Sequence, residues 1–294
     1  VLSVYAAKGR PADNPLIVHI CNTDMLEEVS RMTERESAYV KKLSDAFWPG
    51  PLTMIVTKSE KIPDAVSCGL STVGIRFPKH PVARALIEAA GVPIAAPSAN
   101  SSGRPSPTLA EHVAEDLDGK VSAILDGGPC DVGLESTVID LTGEAPCILR
   151  PGAVTLEQVR RLFPEATQLA WRKEEMPKDE PPRSPGLKYR HYAPKANVII
   201  LQGNEAAVAE RIKASLAFAR RRNIKAKAMV TEESLPFYAA EDDVVCVGRR
   251  TDGAAQAARL FRILRDFDGA GVQEVYAEAL PEDGVGYAVM NRLY

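Results

Sequence analysis

The chain has 294 residues, 45% of them hydrophobic, and a formal net charge of -3 at pH 7. That length accommodates two cores of the usual ~100 to 200 residues, and the slightly acidic balance excludes a surface that attracts nucleic acid or anionic membrane as a whole. The five cysteines are scattered and form no Cys-x-x-Cys pair, which reads as reduced intracellular thiols without a zinc site. No apolar run reaches the ~18 to 20 residues of a membrane span, so no membrane contact and a cytoplasmic location are expected.

In chain order, the residues before Lys8 read as the end of a helix. Lys8-Gly9-Arg10-Pro11 then sets two cations on a Gly/Pro turn ahead of an apolar strand at Leu16 to Ile20. Glycine permits close backbone approach and the prolines stiffen the turn, as a fixed site for an anion requires. Helical spacing follows from Thr23 through Ala46, as two helices, until Trp48-Pro49-Gly50-Pro51. Leu52 to Val56 and Thr72 to Ile75 are predicted strands, and Pro81 opens a helix that should turn Val82, Leu86 and Ala89 to the core. A strand at Pro93 to Ala96 leads into the polar loop Pro97 to Pro107. Thr108 to Glu111 and Thr155 to Gln158 fit capping boxes. Further strands are expected at Val121 to Leu125, Ser136 to Leu141 and Cys147 to Leu149.

From Gln168 to Lys195 periodicity gives way to a proline-rich linker. Beyond it, strands at Asn197 to Leu201, Ala226 to Val230, Val244 to Val247 and Glu274 to Ala277 alternate with helices, which predicts a parallel Rossmann-like sheet. The expected organisation is a domain over 1–167, a linker or lid over 168–195 and a smaller α/β domain over 196–294.

Several residues could handle an anionic substrate. Lys8 offers a point charge, while Arg10 and Arg150 offer forks suited to carboxylate or phosphate. The P-loop and Gly-x-Gly-x-x-Gly patterns are absent. The loop Ala96-Pro97-Ser98-Ala99-Asn100-Ser101-Ser102-Gly103 reads equally well as a donor set for phosphate or carboxylate and as an ordinary turn. On their own, Ser136 and Thr137 are as consistent with strand formation, and His19 with a hydrogen-bonded core residue. His80, His112 and His191 are isolated, so no metal site is expected.

Taken together, Lys8-Gly9-Arg10-Pro11-x-x-Asn14-Pro15-Leu16, Trp48-Pro49-Gly50-Pro51-Leu52-Thr53, Ser71 to Arg76, Ala96 to Asn100, Glu135-Ser136-Thr137-Val138 and Leu149-Arg150-Pro151-Gly152 resemble the ordered blocks of the Sua5/YrdC/YciO family. Ser184 to Pro194 followed by a small α/β domain resembles its Sua5 branch. The resemblance implies a twisted mixed sheet with helices for the first domain. It also implies condensation of L-threonine, bicarbonate and ATP to threonylcarbamoyl-AMP and pyrophosphate, with Mg2+ accompanying ATP. The product would serve a downstream transferase that modifies tRNA adenosine.

By the same resemblance, Lys8 and Arg10 would be catalytic. ATP would meet Lys8, Arg10, Asn14, Ser98, Asn100, Ser106 and Arg150, with Ser184, Tyr189 and Tyr192 as a lid. Threonine would meet His19, Thr72, Arg76, Ser98 and Ser136. Family members carry a further strand and a Pro-Thr-Glu-Thr-x-Tyr-Gly-like motif ahead of Lys-x-Arg, so the first domain is expected to be N-terminally incomplete. Competing readings are a carbamoyl-adenylate enzyme for another acceptor, and an RNA-binding module using the basic linker, where Arg183, Lys188, Arg190 and Lys195 interleave with Tyr189, His191 and Tyr192.

Overall fold

The computed structural model describes residues 1–170, 182, 193–240 and 242–294. Its first part runs α1 (Leu2–Lys8), β1 (Ile17–His19), α2 (Thr23–Val29), α3 (Glu34–Phe47), β2 (Leu52–Thr57), α4 (Asp64–Ser67), β3 (Thr72–Arg76), α5 (Pro81–Ala90), β4 (Ile94–Ala96), α6 (Ala110–Leu117), β5 (Thr137–Asp140), β6 (Cys147–Arg150), α7 (Leu156–Arg160) and β7 (Thr167–Gln168). These strands form one 7-stranded mixed sheet in the order β4-β1-β3-β2-β5-β6-β7. Parallel pairs β1/β3, β2/β5 and β6/β7 alternate with antiparallel pairs β1/β4, β2/β3 and β5/β6.

Strand alternation divides the sheet's faces. Val18, Val73, Ile75, Met54, Val56 and Ile139 point into the main core with Val40 and Leu43 of α3. The intervening residues Ile17, His19, Thr72, Gly74 and Arg76 are only partly buried and line the opposite face. Local signals fix the helices that cover the core. Asn22 accepts from the Met25 N–H to start α2, and Thr33 and Glu36 form a capping box for α3. Glu36 also accepts from the Thr57 N–H (2.7 Å) and hydroxyl (2.9 Å), which ties α3 to the end of β2.

The second part contains β8 (Asn197–Leu201), α8 (Glu205–Arg221), β9 (Ala226–Thr231), a 3₁₀ helix (Glu232–Phe237), β10 (Val244–Gly248), α9 (Gly253–Gly269), β11 (Glu274–Glu278) and α10 (Gly284–Leu293). The 4 strands are all parallel, in the order β10-β9-β11-β8. Val208, Ile212 and Leu216 of α8 pack on Ala228, Val230 and Tyr276 of one face. Leu260, Phe261, Leu264 and Met290 of α9 and α10 pack on Met229, Val275 and Ala277 of the other. This is the doubly wound arrangement expected of alternating strands and helices.

Three local expectations fail. In α5 the buried residue is Ile87, whereas Val82 and Leu86 are 40% and 49% exposed and Ala89 is also exposed. Apolar residues surround this alanine-rich helix, so spacing cannot choose its inward face; Arg84, held over the Phe77 ring at 5.3 Å, helps fix the rotation. The Thr108 capping box does not form. α6 starts after Leu109, and the Thr108 N–H donates to His112 Nδ1 (3.2 Å), so histidine takes the part expected of Glu111. Val121 to Leu125 is not a strand, and Val121, Ile124 and Leu125 are exposed. Its β-branched residues have no ladder to join among the described residues, and strand propensity alone does not fold a segment.

Candidate active site

The site starts at the C-terminus of α1. Gly9 adopts a left-handed conformation (φ 61°) and its N–H donates to the Ala6 carbonyl, while the Arg10 N–H returns to Tyr5 (2.9 Å). Gly9 therefore serves as a helix cap that turns the chain sharply between the two cations. Arg10 closes the turn by donating to the carbonyls of Asn14 (3.2 Å) and Pro15 (3.1 Å). Asn14 is fully buried, and its carbonyl also accepts from the Tyr5 hydroxyl (3.3 Å).

β4 runs antiparallel to β1, with Ala96 opposite Ile17. The loop leaving β4 is thereby delivered to the same sheet end as the turn entering β1. Lys8 Nζ donates to the carbonyls of Ser98 (2.5 Å) and Asn100 and to Asn100 Oδ1 (3.4 Å). The Ser102 N–H donates back to the Lys8 carbonyl (2.8 Å). Asn100 is buried and is oriented by its amide donating to the carbonyls of Ser101 and Arg104. Burial, with the Arg10 charge as the next cause, pushes the Lys8 ammonium down to about 8. Two cations share a poorly solvated corner, an arrangement that an incoming polyanion relieves.

A second group lies farther along the same sheet face. His19, Arg76 and Thr53 are paired across β1, β3 and β2, so their side chains share that face. Arg76 donates to the Gly50 carbonyl (3.2 Å), and burial followed by the nearby Arg150 charge lowers its guanidinium to about 10. Arg150 donates to the Ser136 carbonyl (2.9 Å) and hydroxyl (3.2 Å), and Ser136 Oγ lies 2.7 Å from Thr53 Oγ1. Thr72 stands at the other end of β3, about 13 Å from Arg76 by strand rise. It lines a cavity with Pro15, Ile17, Thr53, Ile55 and Gly74.

His19 Nδ1 lies 3.3 Å from the Ile94 carbonyl. A carbonyl can only accept, so Nδ1 carries the proton and Nε2 is left as an acceptor. Burial, then the Arg76 charge, lowers this histidine from 6.5 to about 4. Below pH 6.5 the unfolded chain therefore binds a proton that the folded chain refuses until about pH 4. Stability should fall as pH drops through that window. His19→Gln should flatten the loss in denaturant titrations at stepped pH, and an unaltered pH slope would show that the ring is not held neutral.

Comparison with known proteins decides the family. A family model for Sua5, YciO and YrdC, described as "Telomere recombination", matches residues 1–152, and one described as "Threonylcarbamoyl-AMP synthase, C-terminal domain" matches 154–294. The chain belongs to the Sua5/YciO/YrdC family. It is 44% identical to the threonylcarbamoyl-AMP synthase of Bacillus subtilis over 294 residues, 100% of this chain and 82% of the relative. The Schizosaccharomyces pombe enzyme of the same name is 38% identical over 100% of this chain and 78% of its own length. The crystal structure of Pyrococcus abyssi Sua5 complexed with L-threonine superposes with a TM-score of 0.89 at 42% identity, covering 99% of this chain and 82% of that one. The mixed sheet and the second, parallel sheet are thus the Sua5 architecture.

In this Sua5-family fold, Lys8, the Ser98 carbonyl and Asn100 converge, with Arg10 alongside. His19, Thr72, Arg76, Ser136 and Arg150 are distributed on or beside the adjoining sheet face. Ser106 is buried and its hydroxyl donates to Glu135. Ser184, Tyr189 and Tyr192, and the basic linker residues Arg183, Lys188 and Arg190, lie outside the described residues. Sequence reasoning missed Thr53 and Glu135 as individual contributors, although both sit inside motif blocks. Among the described residues no three His, Cys, Asp or Glu side chains gather as metal ligands, and no helix is long and apolar enough to cross a membrane.

Proposed function

We propose that this chain condenses L-threonine, bicarbonate and ATP to threonylcarbamoyl-AMP, releasing pyrophosphate. The reading rests on its full-length relatives of that name and on one observation above all: Lys8 is fixed against the Ser98–Asn100 loop, and Arg10, two residues on, is held by the Asn14 and Pro15 carbonyls beside a partly polar sheet face. Threonine's amine and bicarbonate give an N-carboxylate and water. A carboxylate oxygen then forms a bond to the α-phosphorus as the bond to the pyrophosphate oxygen breaks.

Both reactants are anions, so the barrier is lowered by fixed cations and donors aligned before reaction. Lys8 and Arg10 supply that charge at the triphosphate, with Asn14, Ser98, Asn100, Ser106 and Arg150 on the nucleotide side. Thr72, His19, Arg76, Ser98 and Ser136 receive the amino acid; neutral His19 Nε2 can accept from its hydroxyl or amine. Mg2+ would enter with the nucleotide and would need few protein ligands. The reading includes a cytoplasmic setting and a downstream transferase that places the threonylcarbamoyl group on tRNA.

The test is pyrophosphate release by the chain given MgATP, bicarbonate and one amino acid at a time. Threonine-specific stimulation is expected. Equal or better stimulation by another amino acid would replace threonine as the acceptor, and release independent of any amino acid would overturn the condensation.

A further inference from the structure

We infer that Arg265 and Arg292, from helices α9 and α10 of the C-terminal unit, are positioning residues for the nucleotide side of the active site. The inference rests on the function proposed above for Lys8, Asn100 and Ser106. Both arginines interrupt apolar helical stripes: Arg265 follows Phe261 by one turn, and Arg292 follows Ala288 and Val289. A cation there needs a partner, because an unpaired buried charge is strongly destabilising.

The partners belong to the other half of the chain. The Arg265 side chain, 1% exposed, donates to the Pro105 carbonyl (2.7 Å) and to Asp116 Oδ2 (2.8 Å), whose side chain is 0% exposed. Asp116 accepts in turn from the Ser101 N–H (3.0 Å) and from Arg104. Burial raises the Asp116 carboxyl, but hydrogen bonds from Arg265 and Ser101 outweigh it and hold the group below its ordinary range. Ser101 adjoins Asn100, which meets Lys8. Arg292 donates to Glu135 Oε2 (2.9 Å) and to the Pro151 carbonyl (2.9 Å). Glu135 also accepts from Ser106. The neighbours Pro105 and Ser106 are therefore gripped from two helices, one through a carbonyl and the other through a carboxylate.

The docking is close as well as polar. A Cβ placed on Gly133 (φ 75°) would lie 2.4 Å from the Ala257 carbonyl of α9, and Leu134 packs into the α9/α10 core. The segment that carries Glu135 and Ser136 is thus seated on the C-terminal unit. Two bifurcated guanidinium contacts can transmit that unit's position to the nucleotide loops, which a single flexible ammonium cannot do.

Arg265→Lys and Arg292→Lys keep the charge and lose the fork. In the full chain, each should weaken ATP binding by about tenfold while threonine affinity, measured separately by calorimetry, changes less than about twofold. Exposed Arg222→Lys serves as the control. Thermal melts accompany each measurement, made well below the midpoint. Variants with lowered melting temperature but unchanged ATP affinity would show a purely structural role and overturn the inference, as would full retention of both. If either lysine variant does not fold, Asp116→Asn, which keeps an acceptor for Ser101 but weakens the Arg265 contact, must reproduce the selective ATP defect or the inference fails. Direct nucleotide binding is read independently of the chemistry: wild-type chain that binds ATP but releases no pyrophosphate would contradict the proposed function and leave this positioning result intact.

Discussion

Lys8→Gln should lower pyrophosphate release by on the order of 10²- to 10³-fold while the chain stays folded. Glutamine removes the charge but retains an N–H donor for the Ser98 and Asn100 carbonyls, so the defect reports electrostatics rather than an unpartnered loop. The pH dependence makes the test stricter. With the Lys8 ammonium lowered to about 8, kcat/KM for ATP should decline above that pH, toward about tenfold per unit, because it reports the free enzyme. Stability should run the other way. Between about 8 and the ordinary value of 10.5, the unfolded chain holds a proton that the folded chain has released, so stability rises with pH across that window. Activity lost while stability is gained is a signature that general alkaline damage does not produce. Lys8→Gln should abolish both trends. Arg10→Ala should cost on the order of 10²-fold and move the inflection upward, because one cause of the lowered lysine is Arg10's charge. A wild-type profile that stays flat through this range would remove Lys8 from the electrostatic account.

The corner that brings Lys8 to Ser98 and Asn100 was legible because its signals are local. Lys8-Gly9-Arg10 announces a capped turn, the apolar Leu16–Ile20 run announces a strand, and Ser98 and Asn100 stand just past another. Their convergence depends on β4 lying antiparallel to β1, a pairing that no single segment encodes. The C-terminal sheet was equally readable, since its helices have clear apolar stripes and proper caps, such as Asn204 on Ala207. Expectations failed where several answers satisfied the local pattern. An alanine-rich helix left α5's inward face undetermined. At Thr108, a histidine acceptor one residue farther on displaced the expected capping glutamate. The segment 121–125 has strand composition, but pairing is a property of the neighbour as much as of the strand. Buried ion pairs linking positions more than 100 residues apart, such as Arg265 with Asp116, leave only one faint trace: a charge where helical spacing calls for an apolar residue.

Gly74→Val should raise the KM for threonine and lower kcat/KM by about 10²-fold or more, with ATP binding unchanged. Gly74 lies at the centre of the sheet face, flanked by Ile17 on β1 and Ile55 on β2, and lines the cavity that includes Thr72. A Cβ there would stand 3.2 Å from Thr53 Cγ2 and 3.8 Å from Ile17 Cγ1. The first methyl would be tight, and the branches of valine would project from the sheet face that also carries Thr72, His19 and Arg76. Glycine is a poor choice for a strand interior on stability grounds, and valine a favourable one. Its presence at this position therefore keeps the floor of the face low. Since one misplaced methyl in a pocket alters selection by ~10- to 200-fold, Gly74→Ala should give an intermediate loss. Serine, which lacks threonine's methyl, should lose less than threonine in Gly74→Ala, so the ratio of kcat/KM between the two should move toward serine. Normal threonine kinetics in a folded Gly74→Val chain would place the amino acid off this face and sever Thr72 and His19 from its recognition.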